Sequence, residues 1–346
     1  MKPMFAVAVV TAAGVLAFCF GAGAPLQAAD VPTQQVHDFQ LTDHTRLAHQ
    51  LYYYGYAPAI VLMTRQNGSG VSMARSAELQ KIAAGYQARG VLFFLLDSNL
   101  ADTRDAAALA AAKEGLTLPI LMDEQQLVGE QLGVKREGEV FVINPKTWAV
   151  AYRGPVSNSV AALDAVLAGQ PVARSQIEVT EGRAVSFPEQ ARAAAFARIS
   201  YVREIAPILQ EKCVSCHLTG GIGPFAMDSY EVVKGFSPMI RETIRTRRMP
   251  PYFADPHIGA FKNDQGLTPA ETKTLVHWIE AGAPRGDGAD PLLANAGRVA
   301  AEWPENLGKP DVVVDLPAFK VPASGLVEYQ FMRVDNPFPA NTWLKA

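Results

Sequence analysis

The chain has 346 residues, of which 49% are hydrophobic and 19% are charged, and its formal net charge at pH 7 is −3. This length suggests two or three domains, and this share of apolar residues excludes a chain that is disordered throughout. There is no basic excess to attract nucleic acid, and three cysteines are too few for a disulfide-rich scaffold.

The first 29 residues predict a secretory signal peptide. Lys2 precedes an apolar run over residues 4–20, and small residues follow it, which is typical of a cleaved export signal. The alternative is a retained N-terminal anchor, because the run is close to the length that spans a bilayer. We therefore expect a periplasmic or secreted protein with no stable membrane span after cleavage. Cys213 and Cys216 would then be its remaining cysteines.

Residues 37–170 alternate apolar strands with helical patterns, which predicts an α/β sandwich. Two continuous apolar runs, Ala59–Thr64 and Val91–Asp97, have the length and composition of strands covered on both faces. Asn144–Pro145 marks a turn between two later strands. The predicted elements are strands at 59–64, 91–97, 120–122, 139–143 and 149–152, and helices at 76–88, 106–114, 124–132 and 159–168.

This order, with Leu118–Ile120 before Asp123 and with the run Gly138–Pro145, resembles the thioredoxin-like redoxin (AhpC/TSA-like) family. The resemblance implies a thioredoxin-like fold, in which redox-active members carry a cysteine just after the first long strand. Here that stretch is Arg65–Ser72, which contains no cysteine, and Gly138 stands where the family usually has a cis-proline. Because a hydroxyl cannot replace the thiolate nucleophile, we expect a domain that serves docking or structure rather than thiol chemistry.

Residues 171–199 have weak periodicity and several helix breakers, so they predict a linker. The next segment, 200–287, has an apolar helical face immediately before Cys213. Thr268–Glu271 is a capping box with proline at the first helical position, and it opens a second helix. The segment is therefore predicted to be an all-α domain.

Between these helices stands the run Cys213–Val214–Ser215–Cys216–His217, a C-x-x-C-H, which is the attachment signature of c-type haem. Two thiols at this spacing add to the two vinyl groups of one porphyrin, and the histidine that follows ligates the iron. A bare C-x-x-C is also compatible with a redox dithiol or a local disulfide, whereas a zinc site would need a second ligand pair. With its flanking helices, the segment resembles a small cytochrome c domain, which implies one covalent haem c.

The iron needs a sixth ligand, for which we expect Met249, because a methionine followed by Pro250 is the pattern that supplies the axial thioether in cytochromes c. A His/Met pair raises the reduction potential and suits electron transfer. The main alternative is His257, which would give bis-histidine ligation. The other candidates are Met227, Met239 and His277.

Two further residues are expected near the haem. Gly223–Pro224 matches the Gly-Pro often found after the haem histidine in cytochromes c, and we expect the Pro224 carbonyl to accept the ring N–H of His217. Arg248 lies beside the ligand loop, where it would pair with a haem propionate. The alternative for Arg248 is a place on a solvated basic helix face.

Residues 303–346 predict a short β-rich segment, because Val312–Leu316 alternates and Gly325–Phe331 is strand-like. This stretch resembles the opening of a copper type II, ascorbate-dependent monooxygenase domain. That family binds copper through histidines and methionines, but no histidine follows His277, so no copper site is assigned. The alternative is a β-rich tail that docks on the cytochrome domain or on a partner.

Together these features predict an exported monohaem c-type cytochrome that carries out one-electron transfer and has a redox protein as its partner. We find no nucleophile and no acid–base pair that would make it a stand-alone enzyme, so no catalytic residue is assigned. Two alternatives stay open. In the first, the haem donates electrons to a copper monooxygenase domain or partner. In the second, the protein is a haem-based ligand sensor, which requires an iron coordination site that can open.

Overall fold

The computed structural model describes residues 34–190, 193–252, 254–262, 264–303, 308–323, 325, 327–338 and 342. The predicted signal peptide at 1–29 lies outside these residues. Among the helices that the structure describes, none has the length and apolar character needed to cross a bilayer.

The first half of the chain is built on a five-stranded sheet. The strands are β1 (Gln40–Thr42) and β2 (Ala48–Gln50), which pair separately, and β3 (Ile60–Thr64), β4 (Leu92–Asp97), β5 (Ile120–Met122), β6 (Glu139–Asn144) and β7 (Ala149–Pro155) of the main sheet. The main sheet has the order β5-β4-β3-β6-β7, in which β3, β4 and β5 are parallel and β6 is antiparallel to both of its neighbours. β3 and β6 are central and almost wholly buried, which explains their continuous apolar sequences.

Four helices accompany this sheet, namely α1 (Gly70–Tyr86), α2 (Arg104–Glu114), α3 (Leu127–Leu132) and α4 (Val156–Leu167). Successive side chains of β3 enter different cores: Val61 packs on one face of the sheet and Leu62 on the other. The predicted thioredoxin-like α/β sheet is thus confirmed. α1 begins at Gly70 rather than at the predicted Ser76, because the Ser69 side chain caps it by accepting a hydrogen bond from the Ser72 nitrogen.

The second half is mixed helical. It contains α5 (Ala193–Phe196), a π-helical turn (Tyr201–Ile205) that continues as α6 (Ala206–Lys212), then α7 (Tyr230–Gly235), α8 (Ser237–Arg245) and α9 (Pro269–Glu280). The ring of Tyr201 stacks on buried Trp278 with centroids 6.0 Å apart, so the π-helical turn contacts α9. The predicted capping box of Thr268 and Glu271 is confirmed at the start of α9.

α3 belongs to the first half of the chain but packs against the second half. Leu127 packs into the apolar core of the helical half. One turn later, Glu130 lies 2.8 Å from the Nε2 atom of buried His277 in α9. A second ion pair joins Arg104 of α2 to Asp255, at 2.8 Å. The two halves therefore share apolar and charged contacts.

The described residues of the tail do not form the predicted β structure. In the described residues 308–323 and 327–338 there is neither strand nor helix, and almost every side chain is exposed. Val312–Leu316 is rich in valine, but no strand of the described chain pairs with it. An isolated strand leaves its backbone groups and apolar side chains in water, so the prediction is wrong for these residues.

Candidate functional site

A buried carboxylate occupies the place where a redoxin would carry its thiol, between the end of β3 and the start of α1. The Ser69 hydroxyl donates to Oε1 of Glu137 at 2.6 Å, and the Ser72 hydroxyl donates to Oε2 at 2.7 Å. Glu137 is completely buried. With both oxygens already accepting hydrogen bonds, this carboxylate anchors the loop and contributes no nucleophile.

Residues 181–187, which we call the strap, cover this position. The strap lies inside the predicted linker but pairs with the first half of the chain. The Glu137 nitrogen donates to the Arg183 carbonyl at 3.0 Å, and the Arg183 nitrogen donates back to Oε1 of Glu137 at 2.8 Å. A Cβ added to Gly182 would lie 2.7 Å from Cγ of Glu137, so the close approach requires glycine. The strap therefore covers the buried Glu137 carboxylate at the start of α1.

The two cysteines of the C-x-x-C-H motif follow the end of α6 and are both free thiols. Cys216 is exposed, whereas Cys213 is partly buried. Burial raises the pKa of the Cys213 thiol to about 12, and the neighbouring Cys216 adds to this shift. Because the thiolate is the reactive form in disulfide exchange, Cys213 is a poor member of a redox dithiol.

His217 is held by the loop that follows it. Its Nδ1 atom lies 3.0 Å from the carbonyl oxygen of Phe225, and its ring is buried. The predicted acceptor was the Pro224 carbonyl, and this prediction is wrong, because the carbonyl of the next residue, Phe225, faces the ring. The Gly223 nitrogen donates to the Cys216 carbonyl and the Met227 nitrogen donates to the His217 carbonyl, and these two bonds turn the Phe225 carbonyl toward the ring.

The other ring nitrogen of His217, Nε2, has no hydrogen-bond partner in the part of the chain that the structure describes. The backbone of Gly223 approaches the imidazole so closely that an added Cβ would lie 2.7 Å from Nδ1. The imidazole is thus fixed in orientation at one nitrogen and available at the other, which is the arrangement that a metal-ligating histidine needs.

The candidates for the sixth ligand differ in what their side chains already contact. Met249 is 38% exposed, and its nitrogen donates to the Thr243 carbonyl of α8 at 3.2 Å. Both nitrogens of His257 are engaged, since Nε2 lies 3.0 Å from Glu124 and Nδ1 lies 2.9 Å from Asp255. The remaining candidates are buried His277, which is paired with Glu130, buried Met227, and exposed Met239.

The His217 loop contacts one end of α8, and the Met249 loop follows the other end. The Phe225 ring lies 4.8 Å from the His217 ring and stacks at 3.9 Å on Phe236, which immediately precedes α8. Met249 follows the other end of this helix, which is about 13 Å long. The structure brings Cys213, Cys216 and His217 together in one turn and leaves Met249 on a separate loop.

The predicted propionate partner, Arg248, is exposed and pairs with the Glu242 carboxylate. Its role at a propionate stays a prediction. By contrast, Arg245, the last residue of α8, is buried, and its Nη2 atom donates to the Leu127 carbonyl of α3 at 3.4 Å.

A cleft of about 430 Å³, which was not predicted from the sequence, lies between the two halves. Phe39 and Glu124 line it from the first half, and Arg247, Met249 and Tyr252 line it from the second. No local sequence pattern marks this cleft, because its walls come from segments far apart in the chain.

Residues 32–158 match the AhpC/TSA family. This part of the chain is therefore a redoxin-like domain, as the sequence predicted, although it contains no cysteine. No curated protein matches the chain.

Several solved structures are similar to the chain. A hypothetical protein from Sinorhizobium meliloti 1021 is 23% identical, with 44% of this chain and 92% of that one covered and a TM-score of 0.40. An uncharacterized conserved protein from Geobacillus kaustophilus is 22% identical, with 45% and 91% covered and a TM-score of 0.38. Peroxidoxin BcpB from Mycobacterium tuberculosis is 20% identical, with 40% and 96% covered and a TM-score of 0.35.

Proposed function

We propose that this protein is an exported c-type cytochrome that carries one covalent haem c and transfers single electrons to or from a redox partner protein. The observation that carries the proposal is the state of His217. This histidine follows the cysteine pair directly, its Nδ1 atom is fixed by the Phe225 carbonyl, and its Nε2 atom has no partner among the described residues.

The residues around His217 fit a haem. Cys213 and Cys216 are free, so both sulfurs are available for attachment. His217 would be the proximal ligand, and the Phe225 carbonyl would hold its ring orientation and increase its basicity as a ligand. Haem c, when bound, supplies an iron that cycles between the ferrous and ferric states.

Met249 is the better candidate for the distal ligand. Its thioether belongs to a partly exposed side chain, whereas the two nitrogens of His257 already pair with Glu124 and Asp255. Ligation by either nitrogen of His257 would require its contact with Glu124 or with Asp255 to break. A thioether ligand would also give the higher reduction potential.

The redoxin-like domain would serve as a scaffold and docking domain in this account. It contains no cysteine, and a buried glutamate and the strap close the position of the missing thiol. Through α3 it also supports the helical half, since Leu127 enters that core.

The proposal is tested by visible spectroscopy of the full chain, produced in a host that matures c-type cytochromes. We expect the sharp reduced bands of a low-spin haem, and in the oxidised protein the weak far-red band of a Met–iron bond. Met249→Ala should abolish the far-red band, whereas His257→Ala should keep it. A wild-type spectrum without haem bands would contradict the proposal, and haem bands without the far-red band in the wild type would rule out Met249 as the ligand.

A further inference from the structure

The cleft between the two halves has the size and the mixed character of a small-molecule site. Its volume of about 430 Å³ falls within the range of about 300–1,000 Å³ that is usual for such sites. Much of its wall is apolar: Phe39, Leu41, Ile244, Met249, Tyr252 and Leu267. Cys213, Cys216 and His217 are not among its lining residues, so it is distinct from the attachment motif.

The acidic side chains of this cleft already have partners. Asp123 accepts hydrogen bonds from the nitrogens of Val128 and Gly129, at 3.2 and 2.8 Å. Glu124 pairs with His257 at 3.0 Å. Asp264 accepts from the Gly266 nitrogen at 2.7 Å. None of these carboxylates therefore needs a cationic ligand.

The basic side chains are less well satisfied. The guanidinium group of Arg247 has no hydrogen bond or ion pair within the described parts of the chain, although the residue is partly buried. Arg245, which also lines the cleft and is buried, has an unpartnered Nε atom, although its Nη atoms contact Leu127, Gln131 and Glu280.

The backbone of Arg247 holds an uncommon conformation. Its φ angle is 54°, in the left-handed region that residues other than glycine rarely adopt. Such conformations persist where the surrounding structure fixes them, and they cluster at binding sites. The unpaired charge and the fixed backbone thus occur at one residue, in the wall of a partly apolar cleft.

We propose that this cleft binds a carboxylate carried on an apolar body, with the Arg247 guanidinium as its anchor. Arginine pairs with carboxylates through parallel hydrogen bonds, and the apolar wall would contact the rest of the ligand. Two sources have this chemistry, a free organic acid and a propionate group of haem c. The second source rests on the proposed function, because only a haem-loaded chain carries it.

The test uses the full chain in two forms, one made without haem and one loaded with it. Hexanoate is titrated into the haem-free chain by calorimetry, and the reduction potential of the loaded chain is measured. Both measurements compare the wild type with Arg247→Gln, with Arg247→Lys, which keeps the charge, and with Arg203→Gln, which removes an exposed arginine outside the cleft. Circular dichroism establishes that each variant is folded.

Two results would support the proposal and distinguish the sources. If the ligand is a free acid, hexanoate binds the wild type and Arg203→Gln, and Arg247→Gln weakens binding by about tenfold or more, as expected for a lost charge-assisted hydrogen bond. Arg247→Lys should keep most of the affinity. If the ligand is a haem propionate, Arg247→Gln shifts the reduction potential of the loaded chain and Arg203→Gln does not, whereas a free acid as ligand leaves the potential of Arg247→Gln unchanged.

The proposal is overturned if Arg247→Gln and Arg203→Gln agree in both hexanoate affinity and reduction potential. Failure of the proposed function is a different result, since the wild type would then acquire no haem at all. In that case the hexanoate titration alone decides whether the carboxylate site exists.

Discussion

One buried carboxyl group, that of Asp97, lies at the edge of the sheet where β3 and β4 end. Asp97, the last residue of β4, is only 2% exposed, and one of its oxygens has no partner among the described residues. Burial raises the pKa of this carboxyl group to about 8, and the nearby carboxylate of Asp102 contributes to the shift. Asp97 is therefore protonated in the folded protein at neutral pH.

This shift predicts a pH-dependent stability. Between the ordinary pKa of 3.8 and the folded value of about 8, the folded state binds a proton that the unfolded state has lost. The free energy of unfolding should therefore fall as the pH rises through this window, by up to about 1.4 kcal/mol per pH unit. Asp97→Asn, which cannot ionise, should match the wild type near pH 4 and be more stable at pH 8.5.

Thermal denaturation at both pH values measures this difference, with Asp287→Asn as the control, because Asp287 is exposed. The idea is wrong if the advantage of Asp97→Asn over the wild type does not grow with pH.

Gly223 offers a second prediction at this scale. Gly223→Ala would place a methyl group 2.7 Å from the ring of His217, so the loop or the ring must move. We expect a loss of about 1–3 kcal/mol in the free energy of unfolding, as for other overpacked sites. The matched control is Gly235→Ala, because the new methyl group there meets no atom within 4 Å. Equal denaturation midpoints for the two variants would contradict the close approach at His217.

Among the elements, α3 has the most unusual position, because it is part of the redoxin-like domain but packs into the helical half through Leu127. Leu127→Ala should leave a cavity and lower the free energy of unfolding by about 2–5 kcal/mol. Leu109→Ala in α2 is the control, since that side chain is 74% exposed and should change stability by less than about 0.5 kcal/mol. Denaturant titration compares the two, and equal effects would mean that α3 does not support the second half.

Some elements of the fold could be predicted from the sequence, and others could not. β3 and β4 were predictable because both faces of each strand are buried, which leaves a continuous apolar run. The strap was not, because its hydrogen bonds join Arg183 to Glu137, 46 positions earlier, and no local pattern records such a pairing. The valine-rich run Val312–Leu316 predicted a strand, but no strand of the described chain pairs with it.

Likewise, only part of the candidate site could be predicted from the sequence. The identity and spacing of Cys213, Cys216 and His217 were visible in the sequence because neighbours in the chain form the motif. The acceptor of the His217 ring was placed at Pro224 instead of Phe225, since the turn through Gly223 decides which carbonyl faces the ring. The cleft at Arg247 was missed because its walls meet only in the folded chain.

At the scale of the whole molecule, the strap and the tail should respond differently to a protease. Cleavage requires local unfolding, and the strap backbone is hydrogen-bonded to the first half on both sides of Arg183. The tail residues Lys320 and Arg333 are exposed and lack regular structure. Brief trypsin treatment followed by mass spectrometry should thus find cuts at these two positions before any cut at Arg183. Early cleavage at Arg183 would mean that the strap does not stay closed.

The central claim is that Cys213 and Cys216 hold a haem, and the intact mass of the denatured full chain tests it most directly. The protein is produced in a host that matures c-type cytochromes, and the double variant Cys213→Ser/Cys216→Ser is its control. We predict that the wild type keeps the added mass of one haem after denaturation and that the double variant does not. A wild-type chain without added mass, from a host that loads other c-type cytochromes, would contradict the claim and leave the two cysteines as a dithiol pair.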